Sequence, residues 1–401
     1  MLKRAIVTML LAGPAVARAG TFGADVSFLK GHTEVVVLEN GQARVAVAPA
    51  WQGRVVTSTA GGPGGASYGW LNRSLIAAGK PLPHMTPYGG EDRLWLGPEG
   101  GQFSLFFRKG DPVDFEHWQT PAPLDTEAWE VTAKDAGRVR VARPMKLTNA
   151  AGTTLDLRVE RTVRLLDAAS VKESCGQLPG KALSWVAYQS ENRLVNTGTA
   201  PWTRAGGLPS IWILGMFNPS PATTVVVPAA PGAVANDVYF GKVPPDRLVK
   251  KGDTFYFRGD GQQRGKLGLP PTHARSTLGS WDASNRVLTL VWYNRPTEAR
   301  PYVNSLWPPQ KDPFGGDAVN AYNDGVPAPG VKQLGPFYEL ETSSPAAELG
   351  PGKALDHVHR TMHFQGPRPA LEAMARACLG VGLGEIEGAF RASSGATPPA
   401  R

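Results

Sequence analysis

Two acidic segments, far apart in the 401-residue sequence, have the residue types of a polar ligand site. The first, residues 88–102, reads YGGEDRLWLGPEGGQ. Its Arg93 offers a rigid fork of donors, Trp95 a flat apolar face, and its glycines let the backbone approach a ligand closely. The hydrogen-bond acceptors of the segment are Glu91, Asp92 and Glu99. This mixture suits a ring rimmed with hydroxyl groups, whereas the alternative is a tight turn in which the charges neutralise one another.

The second segment, YELET at residues 338–342, contains Glu339 and Glu341 at alternate positions. On a β-strand alternate side chains share one face. Neighbouring carboxylates on a partly buried face raise each other's pKa, which suits a general acid or base that works near neutral pH. We therefore take Glu339 and Glu341 as candidate catalytic residues, with His84, just before the first segment, as a third. The alternative is a pair of solvated charges on an edge strand.

A third polar stretch lies between residues 304 and 324. Its candidate substrate-binding residues are Asn304, Trp307, Gln310, Asp317, Asn320, Asn323 and Asp324. Their spacing is not that of a calcium-binding EF-hand loop, and Asn-Asp-Gly is also a common turn sequence. Direct hydrogen bonds to sugar hydroxyls and plain turn chemistry both remain open for this stretch.

No metal or cofactor is predicted. His357, His359 and His363 fall on one face of a strand, but the outer two are separated by about 20 Å, so at most His357 and His359 could share one ion, and no third ligand is evident. The sequence has no phosphate-binding glycine loop with its lysine, no dinucleotide fingerprint, no Gly-x-Ser-x-Gly elbow and no HExxH motif.

Frequent turn residues and alternating apolar runs indicate a large all-β protein. The 47 glycines and 36 prolines make up about a fifth of the chain, against a usual share of about 12%. The predicted strands are 34–38, 43–47, 54–59, 103–108, 138–141, 155–165, 184–192, 211–216, 287–293 and 337–342. Residues 370–379 form the one predicted helix. We expect a single β domain over residues 20–368, followed by this helix and a disordered tail within residues 369–401.

The first 19 residues have the features of a secretion signal, with Lys3 and Arg4 before an apolar stretch and a small-x-small site at Ala17-Arg18-Ala19. We therefore expect a secreted or periplasmic protein, without a membrane span. Its formal charge is +8, or about +5 without the signal, and the absence of basic runs argues against nucleic-acid binding.

The two cysteines, Cys175 and Cys378, are far apart in the sequence. An oxidising compartment would allow them to pair, but spacing alone does not decide whether they do.

Several segments resemble galactose mutarotase-like proteins. The opening ENGQARVAVAPAWQGRVVTSTA, followed by YGWLN, is similar to the start of that superfamily. The segments YGGEDRLWLGPEGGQFSLFF, YVNSLWPPQKDPFGGDAVNAYNDG and LGPFYELETSSPAAELGPG are more similar to an uncharacterised family of secreted bacterial proteins assigned to it. The resemblance implies a β-supersandwich of two large antiparallel sheets with a carbohydrate site on a concave face.

The resemblance also bears on the candidate catalytic groups. It implies that Glu341, within Leu340-Glu341-Thr342, is the catalytic base. The family's acid is a histidine near the middle of the chain, but here no histidine lies between His117 and His273.

The resulting hypothesis is a carbohydrate-binding protein that acts on a sugar by general acid/base chemistry, either epimerisation or cleavage of a glycosidic bond. A sugar-binding protein without catalysis and a structural scaffold are the alternatives. The sequence does not determine the sugar or the oligomeric state.

Overall fold

The computed structural model describes residues 20–328 and 330–391, most of which lie in or between β-strands. The strands are β1 (Val36–Asn40), β2 (Ala43–Ala48), β3 (Arg54–Thr59), β4 (Arg93–Gly97), β5 (Glu130–Lys134), β6 (Arg138–Thr148), β7 (Thr154–Leu165), β8 (Ser184–Asn196), β9 (Ser210–Phe217), β10 (Thr223–Pro228), β11 (Leu248–Lys251), β12 (Thr254–Arg258), β13 (Gly265–Leu269), β14 (Thr277–Asp282), β15 (Val287–Tyr293), β16 (Val319–Asn323), β17 (Tyr338–Ser343) and β18 (Ala354–Gln365). The predicted signal segment and residues 392–401 of the predicted tail lie outside the described residues.

Short helices flank the strands. They are α1 (Phe22–Lys30), α2 (Arg73–Ala78), α3 (Ala122–Asp125), α4 (Ala168–Cys175), α5 (Arg368–Leu379) and α6 (Leu383–Glu387), with one 3₁₀ turn at Pro49–Trp51. Helix α5 is the predicted C-terminal helix. The expectation of a single helix is wrong, because short segments such as α1 and α4 gain their stability from capping and burial rather than from long periodicity. Asp167, for example, caps α4 by accepting from the backbone N–H of Ser170.

The strands form three antiparallel sheets. One has ten strands in the order β11-β12-β10-β14-β15-β18-β8-β7-β6-β5, one has five in the order β13-β16-β17-β9-β4, and β1-β2-β3 form the third. The hairpin predicted at Asn40-Gly41 joins β1 to β2. Leu267 and Leu340 of the five-stranded sheet pack with Val225 and Phe257 of the ten-stranded sheet in one apolar cluster. The two large sheets therefore pack face to face, which confirms the predicted all-β sandwich.

The strand predictions differ in accuracy. Strands β3 and β15 match their predicted bounds, and most others are correct within a few residues. The predicted strand at 103–108 is wrong, since that segment is a series of turns in which the backbone N–H of Phe106 donates to Ser104 Oγ and that of Leu105 to the carbonyl of Pro98. Its apolar residues are buried in an aromatic cluster and not in a sheet.

No helix among the described residues has the length and hydrophobicity needed to cross a bilayer.

Both cysteines are buried at the contact between α4 and α5 and are free thiols in this structure. The neighbouring thiol of Cys175, together with burial, raises the pKa of Cys378 well above its usual value.

Candidate functional site

Polar side chains occupy the face of the five-stranded sheet that points away from the ten-stranded sheet. Leu214 of β9 is the cross-strand partner of Arg93 on β4 and of Glu341 on β17. Glu341 is also the partner of Asn320 on β16. These four side chains therefore form one row across four strands. Paired residues of antiparallel strands place their side chains on the same side. We call this surface the polar face. Its polar and aromatic members are Arg93, Trp95, Trp212, Lys266, Asn320, Tyr322, Glu339 and Glu341.

Glu341 lies at the centre of the polar face and is fully buried. Its Oε2 accepts hydrogen bonds from Lys266 Nζ at 2.8 Å and from Trp212 Nε1 at 2.8 Å. The ammonium of Lys266 also lies 4.8 Å from the centre of the Trp212 ring. Glu341 thus has a charge-assisted hydrogen bond from Lys266 and a second donor in Trp212.

Glu339, two residues earlier on the same strand, has a different environment. Its Oε1 is 3.5 Å from Arg93 Nη2, at the limit of a hydrogen bond. Burial, followed by the charge of Glu341, raises the pKa of Glu339 to about 8, although Arg93 and Lys266 oppose the shift. At neutral pH Glu339 is therefore mainly protonated and able to donate a proton.

Arg93 is stacked on the neighbouring aromatic residue of its strand. Its Cζ lies 4.1 Å from the centre of the Trp95 ring, and desolvation by burial lowers the pKa of Arg93. Trp95 also packs against two other tryptophans, and its ring centre lies 5.6 Å from that of Trp212 and 6.2 Å from that of Trp118. The apolar face predicted for Trp95 is thus largely covered by Arg93.

Asp317 joins the polar face through a tyrosine of a neighbouring loop. Tyr239 Oη donates to Asp317 Oδ2 at 2.6 Å and accepts from Asn320 Nδ2 at 3.2 Å. Burial raises the pKa of Asp317. Gly268 makes this arrangement possible, because a Cβ at that position would overlap Asp317 Oδ2 and Asn320 Nδ2.

Glu99, which follows β4, and Trp307 lie next to each other at the border of the polar face. Trp307 Nε1 donates to Glu99 Oε1 at 3.0 Å. Desolvation raises the pKa of Glu99, and the charge of Lys266 opposes that shift. The structure thus brings together residues that are far apart in the sequence, such as Arg93 and Glu339, which are separated by 246 positions.

Several buried polar atoms of this cluster have no hydrogen-bond partner within the described part of the chain. They are Arg93 Nε, Trp95 Nε1, Trp118 Nε1 and Glu341 Oε1. Buried polar atoms are usually paired, so each one without a partner calls for a functional or structural reason. A hydroxyl-rich ligand can both donate to Glu341 Oε1 and accept from the nitrogen atoms.

The polar face is covered in this structure. Glu339 is 5% exposed and Lys266 7%, so loops rather than open solvent lie above them. One of these loops brings Met85 Sδ to 3.9 Å from Arg93 Nη1. A ligand could therefore reach Glu341 only if the covering loops moved.

Glu91 and Asp92, predicted as ligand-binding residues, lie away from the polar face and between the sheets. Glu91 accepts from the Ser58 backbone N–H at 2.5 Å, from Ser58 Oγ at 2.8 Å and from Tyr188 Oη at 3.1 Å, and it contacts His363 Nε2 at 2.9 Å. Asp92 Oδ1 pairs with Arg161 Nη2 at 2.6 Å. The prediction for these two residues is corrected because their partners lie within the fold. Gly89 and Gly90, both at positive φ, precede them, and Arg93 begins β4.

His84 is not placed beside the glutamates. Its Nδ1 is 2.7 Å from the carbonyl oxygen of Trp118, and its ring packs on Phe115 at 4.7 Å. The contacts of His84 are those of a residue that joins two covering loops.

Asn304, Gln310 and Asn323 also stabilise loops. Asn304 Oδ1 accepts from the backbone N–H of Leu306, and Gln310 Nε2 donates to the carbonyl of Pro308 at 2.8 Å. Asn323 accepts from the Gly261 N–H at 2.8 Å and donates to the Gln263 carbonyl at 2.9 Å.

Asp324 reaches the polar face indirectly, because its Oδ1 accepts from Tyr322 Oη at 2.6 Å. Burial raises the pKa of Asp324.

Sequence reasoning did not identify Lys266, Trp212 and Tyr239. Lys266 had a recognisable signal, since it is the one charged residue in the short strand GKLGL. A lysine in such an apolar run is expected either on an exposed face or paired with a buried acid.

The histidines of β18 are buried between the sheets. His357 Nε2 and His359 Nδ1 lie 2.8 and 2.9 Å from Thr342 Oγ1, and burial lowers the pKa of His357 to about 3 and that of His359 to about 4. Within the described residues no group of three or more His, Cys, Asp or Glu side chains is arranged to hold a metal ion.

Comparison with known proteins identifies the family. The sequence model of a family of unknown function, DUF6786, matches residues 20–390, and the chain belongs to this family. No curated protein matches the sequence.

Solved structures share the fold. A putative aldose 1-epimerase from Escherichia coli K12 superimposes with a TM-score of 0.50 at 9% identity, over 83% of this chain and 99% of that one. A galactose mutarotase-like protein from Lactobacillus casei ATCC 334 superimposes with a TM-score of 0.46 at 11% identity, over 83% of this chain and 100% of that one. A putative mutarotase from Salmonella typhimurium superimposes with a TM-score of 0.44 at 14% identity, over 83% of this chain and 90% of that one. The chain therefore has the galactose mutarotase-like β-sandwich fold.

Proposed function

We propose that this protein binds a carbohydrate on the polar face and transfers protons at its anomeric centre. The observation that carries the proposal is the unequal environment of two carboxyl groups on one strand. Glu341 is charge-paired with Lys266, while burial raises the pKa of Glu339 to about 8. Such a pair supplies a base and an acid at the same pH.

The roles follow from these environments. Glu341 takes a proton from a hydroxyl of the sugar or from water, and Glu339 gives a proton to the ring oxygen or to a glycosidic oxygen. Trp118 and Trp212 offer aromatic rings against which a sugar can pack, while Arg93 and Lys266 offer donors to its hydroxyl groups. The N-terminal segment supports a secreted or periplasmic location for this activity.

A sugar-binding protein without turnover is the second candidate. It is favoured by the absence of a histidine between His117 and His273, and by the positions of His357, His359 and His363, which lie between the sheets away from Glu341. In this reading Lys266 and Glu341 orient a ligand without transferring a proton.

Ligand-observed NMR with a panel of reducing sugars and methyl glycosides distinguishes a catalytic protein from a sugar-binding protein without turnover. We expect the wild type to accelerate the interconversion of the α and β anomers of a reducing sugar, observed through their anomeric proton signals, or to release methanol from a methyl glycoside. Glu341→Gln should bind the same sugar without turnover, whereas Glu348→Gln, an exposed glutamate elsewhere, should behave as wild type. Binding without turnover by the wild type supports the second candidate. Unchanged turnover in Glu341→Gln would remove Glu341 from the mechanism.

A further inference from the structure

A cavity of about 270 Å³ lies at one end of the sandwich. Phe217 on β9 and Tyr338 on β17 line it from the five-stranded sheet, and Thr289 on β15 lines it from the ten-stranded sheet. Tyr338 Oη lies 2.8 Å from Ser280 Oγ of β14, so the two large sheets meet at its wall. Tyr338 and Glu339 are adjacent on β17 and therefore point to opposite faces of the sheet. This space, which we call the inner cavity, is thus separate from the polar face.

The inner cavity has an entrance at the protein surface. Thr21 before α1, Ala66 in the loop between β3 and α2, and Asn285 in the turn between β14 and β15 line its mouth and are exposed. Its floor is buried, since Thr289 and Tyr338 are each 3% exposed. A small molecule can therefore approach this cavity from solvent, whereas the polar face is covered by loops.

Two asparagine side chains present unpaired oxygen atoms at this cavity. Asn218 Nδ2 donates to the carbonyl oxygens of Ser67 and Gly69, both at 3.0 Å. Asn285 Nδ2 donates to Asp282 Oδ2 at 2.7 Å. Carbonyl and carboxylate oxygens accept hydrogen bonds, so these contacts fix the orientation of both amide groups. Oδ1 of each asparagine is then an acceptor without a donor among the described residues.

The charge of the inner cavity is negative. Asp282 is the one charged side chain among the described residues that line it. Its Oδ1 accepts from Oγ of Ser220 at 2.6 Å, which brings it close to Asn218, two residues earlier. No lysine or arginine in the described part of the chain forms an ion pair with Asp282, and Arg286 of the same turn donates instead to the Gly366 carbonyl. The carboxylate therefore has no counter-cation within the fold.

The donors of the wall are largely used within the fold. Tyr68 Oη donates to Gln365 Oε1 at 2.7 Å, and Thr289 Oγ1 lies 2.9 Å from His363 Nδ1. Gln365 Nε2 is a loosely held donor, since its contact with the Asn285 carbonyl measures 3.4 Å. The free acceptors that line the described cavity therefore outnumber the free donors.

Three aromatic residues, Tyr68, Phe217 and Tyr338, complete the evidence on ligand type. Aromatic rings attract cations, and a primary ammonium group supplies a positive charge together with three N–H donors. A neutral polyol would leave Asp282 without a counter-charge. A calcium ion takes about six to eight oxygen ligands, more than one carboxylate and two amide oxygens supply. The chemistry of the wall thus fits an organic cation best.

We propose that the inner cavity binds a small organic molecule with a primary ammonium group. The ammonium group lies beside Asp282 and donates to Oδ1 of Asn218 and of Asn285, while the carbon part of the molecule packs against Tyr68 and Phe217. This site goes beyond the carbohydrate function proposed for the polar face and does not depend on it.

Calorimetry at neutral pH with matched pairs of small molecules tests the proposal. The cations are ethanolamine, butylamine and cyclohexylamine, and each is compared with the compound in which a hydroxyl replaces the amine. For at least one pair we expect the ammonium ion to bind at least about tenfold more tightly than its hydroxyl counterpart. The reason is that only the cation gains charge-assisted hydrogen bonds and attraction to the aromatic rings.

Substitutions locate the bound cation. Asp282→Asn should lose most of the preference for the ammonium ion, whereas Asp356→Asn, at an exposed position of β18, should keep it. Ala66→Lys places a positive charge at the mouth and should also remove the preference, whereas Ala66→Gln adds a neutral side chain there and should keep it. The two changes at Ala66 remain decisive if Asp282→Asn does not fold.

Two results would overturn the proposal. One is equal affinity for the ammonium and hydroxyl members of every pair, or no binding of any of them up to about 10 mM. The other is a preference that survives in both Asp282→Asn and Ala66→Lys, which would place the cation elsewhere on the protein. Neither result bears on the polar face, because sugar binding and turnover there are measured separately.

Discussion

Two pairs of buried acidic residues in this protein lie on different faces of the sheets and differ in their hydrogen bonding. Glu91 and Asp92 lie between the sheets, where Glu91 is bonded by Ser58, Tyr188 and His363 and Asp92 pairs with Arg161. Glu339 and Glu341 lie on the outer face of the five-stranded sheet. Glu339 has one long contact with Arg93, and Glu341 Oε1 has no partner among the described residues.

The difference separates a structural role from a reactive one. The partners of Glu91 fix two strands and a histidine in place, so its hydrogen-bonding capacity is used within the fold. Glu339 has a strongly raised pKa. Glu341 Oε1 has no hydrogen-bond partner among the described residues, but the same is true of Asp92 Oδ2. The shifted protonation equilibrium of Glu339 is therefore the feature that indicates a group that acts on a ligand.

The largest effect on stability is expected for Arg161→Met. This change leaves Asp92 buried without its cation and removes hydrogen bonds to the Gly53 carbonyl and to Asn192. We expect a loss of about 3–5 kcal/mol in the free energy of unfolding, measured by urea denaturation. Arg158→Met, at an exposed position of the same strand, should change stability by less than about 0.5 kcal/mol. Equal effects of the two would mean that the inner pair does not stabilise the sandwich.

The next effect is a pH dependence that arises from Glu339. The native state holds the proton of Glu339 up to about pH 8, whereas in the unfolded chain it leaves at about pH 4.3. Between these values the native state binds more protons, so stability falls as pH rises, by up to about 1.4 kcal/mol for each pH unit.

Glu339→Gln should remove this contribution, because an amide does not titrate. Urea denaturation from pH 5 to pH 8 measures the slope, with Glu348→Gln, at an exposed position, as control. A slope that is identical in Glu339→Gln and wild type would show that Glu339 is ionised throughout and cannot act as the acid.

A smaller effect is expected for Tyr239→Phe. It removes the hydroxyl that joins Asp317 to Asn320, at a cost of about 1 kcal/mol in stability. If that hydroxyl positions the site, sugar affinity should fall by about five- to tenfold. Tyr256→Phe, on the ten-stranded sheet, is the control and should leave sugar affinity unchanged. Unaltered affinity in Tyr239→Phe would exclude Asp317 from the site.

The sequence predicted the sandwich and several of the residues that lie on the polar face. Alternation made β3, β15 and β17 recognisable, and alternation on β17 placed Glu339 and Glu341 on one face, as the structure has them. Local pattern could not show that Glu91 and Asp92 point between the sheets, since their partners Ser58, Tyr188 and Arg161 are distant in the sequence. Nor could it pair Lys266 with Glu341, which are 75 positions apart and meet only through the order of strands β13, β16 and β17.

The comparison of the two acidic pairs is tested most directly by two isosteric changes, Glu341→Gln and Glu91→Gln. The measurement is the rate, per folded molecule, at which the α and β anomers of the bound sugar interconvert or a glycoside is cleaved. The sugar is one that the wild type binds. We expect Glu341→Gln to lose at least about 100-fold in turnover while sugar binding survives. Glu91→Gln should unfold at a lower temperature and keep its turnover within about threefold. The reverse result, with turnover lost in Glu91→Gln and retained in Glu341→Gln, would contradict the assignment of the polar face as the reactive site.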